Sequence, residues 1–285
     1  MDTPMYALHL AIITLSLLLT AATVQAQSQV QRSAPLARGL VSWWYAPPGL
    51  SGSGTWYDLV RRNHGALLNG VTWGRPHRSG AGATLRFDGN DDVVRIPFDT
   101  SIAPPAITIV TWVTRTATGG SYQALWFSDG GGLRILHVRS DGKLYLFYSA
   151  NVANPSYDGT GALSVPVGVR TQVTFTHSNA QGSATYIDCA TDFTQAPGGG
   201  TTAISGGVLS LGGDSGGGER LSGTLDDMML FDRALSQAEV CALRREARQG
   251  YPTLLPAAPS AVAAAPSGLT PGRTPRFFPF FGQQP

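Results

Sequence analysis

Apolar and polar residues alternate along much of this chain with a period of two. Val173, Phe175 and His177 interleave with Gln172, Thr174 and Thr176, which predicts a strand with one face on a core and the other in water. Thr84 to Phe87 and Val93 to Ile96 read as a strand pair, with Asp88-Gly89-Asn90-Asp91 turning between them; Asp-Gly is a strong hairpin signal. Ile107 to Thr114 is apolar on both faces and rich in β-branched and aromatic residues, so it is expected mid-sheet. Leu133 to Val138, Leu144 to Tyr148 and Ala184 to Ile187 continue the series. About a dozen short strand candidates lie between Gly39 and Tyr251, separated by Gly, Asn, Asp or Pro. The expected fold class is all-β: an antiparallel β-sandwich of jelly-roll type with one short C-terminal helix.

That helix starts at Ser236. Ser236 and Glu239 have capping-box spacing, and Leu235 and Val240 are placed as a hydrophobic staple. Arg244, Arg245 and Arg248 lie toward the end that favours cations, and Gly250 is the stop.

The two ends read differently. Leu10 to Val24 is an apolar run that ends in small residues at Val24-Gln25-Ala26, so residues 1–26 are expected to be a signal peptide. The run is short for a membrane span of about 20 residues. A membrane enters the picture only if this segment stays uncleaved. Residues 27–38 form a polar leader, 39–251 the expected domain and 252–285 a Pro/Ala-rich disordered tail, which ends in Phe277-Phe278-Pro279-Phe280-Phe281. The expected location is secreted or at the cell surface. Export makes an oxidising environment relevant to Cys189 and Cys241, which either bridge or remain two buried thiols.

Composition narrows the partners. The net charge is +2 and the basic residues, nearly all Arg, are scattered, so nucleic acid is not an expected partner. Charged residues are 13% of the chain and Gly numbers 35, which suits a turn-rich β protein.

Seven segments resemble, in order, the LamG-like jelly rolls of the concanavalin A-like lectin/glucanase superfamily. They are Leu40-Val41-Ser42-Trp43-Trp44; Asp58 with Asn63-His64-Gly65; Leu85 to Val93; Thr108 to Trp112; Tyr186-Ile187-Asp188; Leu209 to Gly213; and Leu221 to Val240. Two positions depart from the pattern. Arg170 stands where the family usually has Trp, and Cys189 stands for the Gly of a "Y-V-D-G" turn, which implies a differently built turn. The resemblance implies an exported recognition module that binds carbohydrate or an extracellular protein. An adhesion spacer and a divergent glycoside hydrolase are the alternatives.

Catalysis is not expected. Glucanases on this fold use paired carboxylates, usually Glu, on one strand. This chain has three Glu residues, at 219, 239 and 246, and none falls in the central strands. His64 and His137 read as isolated, structural histidines. Calcium is the cofactor the residues bring up, because it needs clustered oxygens. The pentraxin-like features imply a set of Asp129, Asp214 and Glu219. The alternative set, Asp88, Asn90, Asp91 and Asp92, equally suits a plain turn. Trp43, Trp44, Trp56, Trp73 and Tyr157 read either as sugar-stacking or as core aromatics.

Overall fold

The structure is a computed structural model that describes residues 30–46, 52–76, 82–128, 134–148, 157–197, 207–214 and 218–255. The expected signal peptide, Asp129 and the chain from residue 256 onward, with its aromatic end, lie outside the described residues.

Sixteen strands and one α-helix are described. They are β1 (Leu40–Trp44), β2 (Thr55–Trp56), β3 (Gly65–Leu68), β4 (Thr72–Gly74), β5 (Thr84–Asp88), β6 (Val93–Pro97), β7 (Ile107–Arg115) and β8 (Tyr122–Ser128). Then come β9 (Arg134–Arg139), β10 (Leu144–Tyr148), β11 (Tyr157–Thr160), β12 (Thr171–Ser178), β13 (Gly182–Ile187), β14 (Ala190–Gln195), β15 (Val208–Leu211), β16 (Ser222–Phe231) and α1 (Gln237–Gln249). One sheet runs β14-β13-β12-β7-β16-β5-β4, with β1 also paired to β16; the other runs β11-β10-β9-β8-β15-β6-β3-β2. All of these strand pairings are antiparallel. The expected all-β sandwich is what the chain forms.

The main core lies between the sheets. Ile109, Val113, Phe175, Leu225 and Leu230 of the first sheet pack with Val94, Ile96, Leu136, Val138, Leu146 and Leu209 of the second. A second cluster covers the outer side of the first sheet. There Val110, Trp112, Met229 and Phe231 meet Val240, Leu243 and Ala247 of α1, with Trp43 and Tyr251 beside them. This second layer corrects one expectation. Gln172, Thr174 and Thr176 do not face water; each is buried. The helix covers their side of β12, and Gln172 Nε2 donates to the Val240 carbonyl at 3.3 Å. Burial without such a partner would be costly for an amide. The packed unit also runs past the expected 39–251 at both ends. Val30 and Leu254 are buried, and the Gln31 N–H donates to the Leu254 carbonyl at 2.8 Å.

Helix α1 starts as its sequence predicts. Ser236 accepts from the Glu239 N–H, Glu239 accepts back from the Ser236 N–H, and Gly250 closes the helix at φ 87°. Glu239 is also clamped by Arg233, at 2.7 and 3.1 Å, and that contact holds its carboxyl down to about 2.

Cys189 and Cys241 are bridged, with Cα atoms 5.0 Å apart. The β13–β14 turn that carries Cys189 is not built differently after all. Asp188 and Cys189 have φ 51° and 66°, the doubly left-handed backbone that Asp-Gly adopts in a two-residue hairpin. Cys replaces Gly there at a steric cost of about 1–2 kcal/mol. The bridge to α1 offsets it, together with Asp188, which accepts from Arg244 Nε at 3.0 Å and from the Gln172 N–H at 3.0 Å. The bridge spans a separation of 52 residues, worth about 4 kcal/mol in the chain-entropy view. Cys241→Ser is therefore expected to lose about 2–4 kcal/mol in urea unfolding. Adding Cys189→Gly should restore about 1 kcal/mol, because glycine takes the left-handed backbone without strain. A double variant no more stable than Cys241→Ser would contradict this account of the turn.

Candidate functional site

The outer face of the second sheet gathers its chemistry through strand alternation. Leu136 and Val138 of β9 point into the core, so His137 between them points out. Leu144 and Leu146 of β10 do the same for Tyr145. On β8 the register shifts between Ala124 and Trp126. This bulge lets Leu125 and Trp126 both enter the core and sends Tyr122 and Phe127 outward beside His137. The Ala124 N–H at the bulge donates to the Glu219 carbonyl at 2.8 Å. That bond docks the loop between β15 and β16 against the face. Glu219 itself takes a left-handed φ of 53°.

The resulting arrangement is compact. His137 lies 5.8 Å from Tyr122, 6.5 Å from Tyr145 and 6.3 Å from Phe127, ring centre to ring centre, with the Phe127 ring stacked at 13°. Tyr122 and Tyr145 are 5.2 Å apart. The three rings around the imidazole are half-buried, while His137 is only 1% exposed. Glu219 Oε2 approaches His137 Nε2 at 3.3 Å. Despite that distance, neither imidazole nitrogen has an aligned hydrogen bond among the described residues. Burial holds the imidazole down to about 3, so it is neutral at pH 7. Burial, and then the charge of Asp214, pushes the Glu219 carboxyl up. At pH 7 the contact is therefore a neutral imidazole beside a partly buried carboxyl. Ser210 of β15 continues the face, paired in register with Phe127 on one side and Arg95 on the other, and its buried hydroxyl has no partner among the described residues.

The other expected residues fall elsewhere. Asp214 lies in the same loop as Glu219, but its Oδ1 accepts the Gly218 N–H at 2.6 Å, and Asp129 lies outside the described residues. Asp88, Asp91 and Asp92 converge in the turn between β5 and β6, with one oxygen of each within 4.8 Å of the others. That turn is not the expected hairpin: β5 pairs with β4 and β16 and β6 with β3 and β15, so the chain crosses here from one sheet to the other, because both strands carry apolar faces that the core between the layers takes from opposite sides. Trp43, Trp44 and Trp56 are at most 1% exposed and belong to the cores. Trp73 is partly buried and donates to the Ser53 carbonyl at 2.7 Å; the Tyr157 side chain lies outside the description. His64 is structural, as expected: its Nδ1 accepts the Asp58 N–H at 3.1 Å. His137 is not isolated. The sequence signal for it was the pair Leu136-His137-Val138 and Leu144-Tyr145-Leu146, in which period two puts a histidine and a tyrosine on one face of adjacent strands.

The family model described as the concanavalin A-like lectin/glucanases superfamily matches residues 88–241, over half of the chain. The chain belongs to that superfamily. No curated protein sequence matches it. Among solved structures it is similar to domain 4 of AbnA, a GH43 extracellular arabinanase from Geobacillus stearothermophilus, in complex with arabinotriose. That match has 16% identity and a TM-score of 0.56, covering 72% of this chain and 98% of that one. The Trypanosoma rangeli sialidase in complex with the inhibitor DANA matches at 17% identity and a TM-score of 0.57, covering 80% of this chain; the chain spans 38% of the sialidase. The binding domain of Paraclostridial Mosquitocidal Protein 1 matches at 17% identity and a TM-score of 0.57, over 72% of this chain and 52% of that one. The superfamily's fold therefore occurs here in the company of both enzymes and binding domains.

The neutral His137 makes a testable demand on stability. Its folded pKa lies near 3 against an ordinary value of 6.5, so unfolding takes up a proton between those values. The stabilisation is fully present above pH 6.5 and is lost as pH falls toward 3. His64, also lowered by burial, acts in the same sense. His137→Phe should flatten most of the fall in Tm between pH 6.5 and pH 5 in thermal scans. An unchanged slope would show that the imidazole is not buried neutral.

Proposed function

We propose that this chain is a non-catalytic glycan-recognition module acting outside the cytoplasm, and that sugar is taken on the outer face of the second sheet. One observation carries the reading: three half-buried aromatic rings, Tyr122, Phe127 and Tyr145, converge around His137 beside the Glu219 carboxylate. Sugar rings present apolar C–H faces and polar edges. Aromatic faces serve the first, and carboxylate and phenol hydroxyl groups serve the second. Fixed aromatic rings also lose little side-chain entropy on binding. The superfamily and the arabinotriose complex of the similar arabinanase domain support a carbohydrate ligand. The disulfide supports an oxidising location. Among the described residues no helix is long and apolar enough to cross a membrane.

Glycan-array binding with the full chain tests the reading. Tyr122→Ala and Tyr145→Ala should each weaken the best-bound glycan about tenfold or more, the loss expected of a central aromatic contact, with Tm within a few degrees of wild type. If the array shows no ligand at all, the sandwich is an adhesion spacer. If a bound glycan is instead hydrolysed, and the hydrolysis vanishes in Glu219→Gln, the module is an enzyme.

A further inference from the structure

Helix α1 covers only part of the outer side of the first sheet. Beyond it, the adjacent strands β7, β16, β5 and β4 present a polar surface built by alternation. Val113, Leu225, Leu85 and Phe87 enter the core, so Thr114, Thr224, Thr84 and Arg86 point outward. Thr224 stands in register between Arg86 on one side and Thr114 on the other. These residues, with Arg75 just after β4, line a cleft of about 340 Å³. Its most buried residue is Asp226, 2% exposed, whose charge Arg170 answers at 2.7 Å. The other two arginines have no such answer. Among the described residues neither the Arg75 nor the Arg86 guanidinium meets a carboxylate. Asp88, the next residue on the Arg86 face of β5, turns its Oδ1 to the Asn90 N–H at 2.8 Å. Three arginines against one aspartate therefore leave two positive charges uncompensated in the cleft. Its wall is fixed locally. The Thr84 hydroxyl donates to the Arg75 carbonyl at 3.3 Å, in space that a Cβ on Gly74 would take, at 2.4 Å from that hydroxyl.

We propose that this cleft binds a small polyhydroxylated carboxylate, a sugar acid of the uronate type. A guanidinium fork matches a planar carboxylate through two parallel N–H···O bonds. The threonine hydroxyls beside the arginines donate to or accept from ligand hydroxyls, as the ligand requires. The volume lies at the low end of ligand pockets, which suits one small unit. Two free positive charges on paired strands, without a longer basic track, select a single anionic group over a polyanion such as nucleic acid. Because the charges and hydroxyls stand on neighbouring strands of one sheet, their spacing is set before a ligand arrives. The cleft lies on the first sheet and the aromatic rings on the second, so the proposal does not depend on the rings binding sugar.

Calorimetric titration of the full-length protein with sodium D-glucuronate, at pH 7 and low salt, tests it. Binding is expected with a Kd of about 1 mM, the reach of a ligand this small. It should weaken at about 0.15 M salt, as exposed charges are screened. D-glucose, which lacks the carboxylate, should bind about tenfold more weakly or less. Arg75→Ala and Arg86→Ala should each cost about tenfold in glucuronate affinity; both residues are exposed, so the fold should be unaffected. Arg86→Lys should recover only part of the loss, because an ammonium keeps the charge but not the fork. No glucuronate heat, or heat unchanged in both alanine variants, would overturn the site. Inorganic sulfate binding as tightly as glucuronate would overturn the sugar-acid assignment. Heat that survives Arg86→Ala but is lost in Tyr145→Ala would also overturn the proposal, by placing the acid on the aromatic face.

Discussion

The architecture depends on a bulge in one strand. β16 pairs with β7 along one edge, while its other edge is shared between β5, at Ser222–Leu225, and β1, at Met228–Phe231. The change of partner falls at Asp226–Asp227, where the register slips and Asp227 turns to φ 46°. Two carboxylates are thereby buried, at 2% and 4% exposure, in a place where isolated charge would be untenable. Arg170 answers them. Its guanidinium meets Asp226 through both Nε and a terminal nitrogen at 2.7 Å, reaches Asp227 at 3.7 Å, and lies over the Trp112 ring at 5.2 Å. The Tyr251 hydroxyl donates to Asp227 at 2.7 Å, and burial keeps that phenol protonated far above its usual range. The network ties β16, the start of β12 and the end of α1 together. It also gives a role to the arginine that stands where the family usually carries tryptophan: the side chain lies over Trp112 and supplies the charge that the bulge requires.

A second bulge, in β8, does for the candidate site what the first does for the scaffold. It lets adjacent residues Leu125 and Trp126 share the core, and it frees a backbone N–H to hold the Glu219 loop. The aromatic face and the acid that borders it therefore have one structural cause. Because β8 and β9 are interior strands of their sheet, the rings are carried by paired backbone and not by loops, and such support is what precise recognition needs.

The helix closes the first sheet with apolar contacts, a disulfide and the Asp188–Arg244 pair, and leaves the second sheet to carry the half-buried rings. The turn after β5 and the Glu219 loop sit together at the rim between the layers, where Asp88 pairs in register with Ser222 and Gly212 passes so close to Phe87 that a Cβ would stand 2.1 Å from its ring.

Much of this was legible along the chain. β7 was expected over Ile107 to Thr114 and runs over Ile107–Arg115, because a segment apolar on both faces has nowhere to lie but mid-sheet. The Ser236–Glu239 cap and the Gly250 stop were legible because they are local, satisfied within a few residues of one another. The Asp88–Asp92 turn was legible as a turn, but the strand pair expected across it was not formed: β5 and β6 lie in opposite sheets. What the linear pattern left open was which layer would cover each face. Period two separated Gln172, Thr174 and Thr176 from Val173 and Phe175, but only the docking of α1 decided that the polar set would be buried. His137 was read as an isolated structural histidine; the alternation that sets it and Tyr145 on one face was present in the sequence, but their meeting with Glu219 needed a bulge and a loop distant in sequence. Trp43, Trp44 and Trp56 remained ambiguous between stacking surface and core for the same reason. Alternation and capping are properties of neighbouring residues and belong to the sequence; burial and charge environment depend on what packs against a face, and tertiary structure alone supplies that.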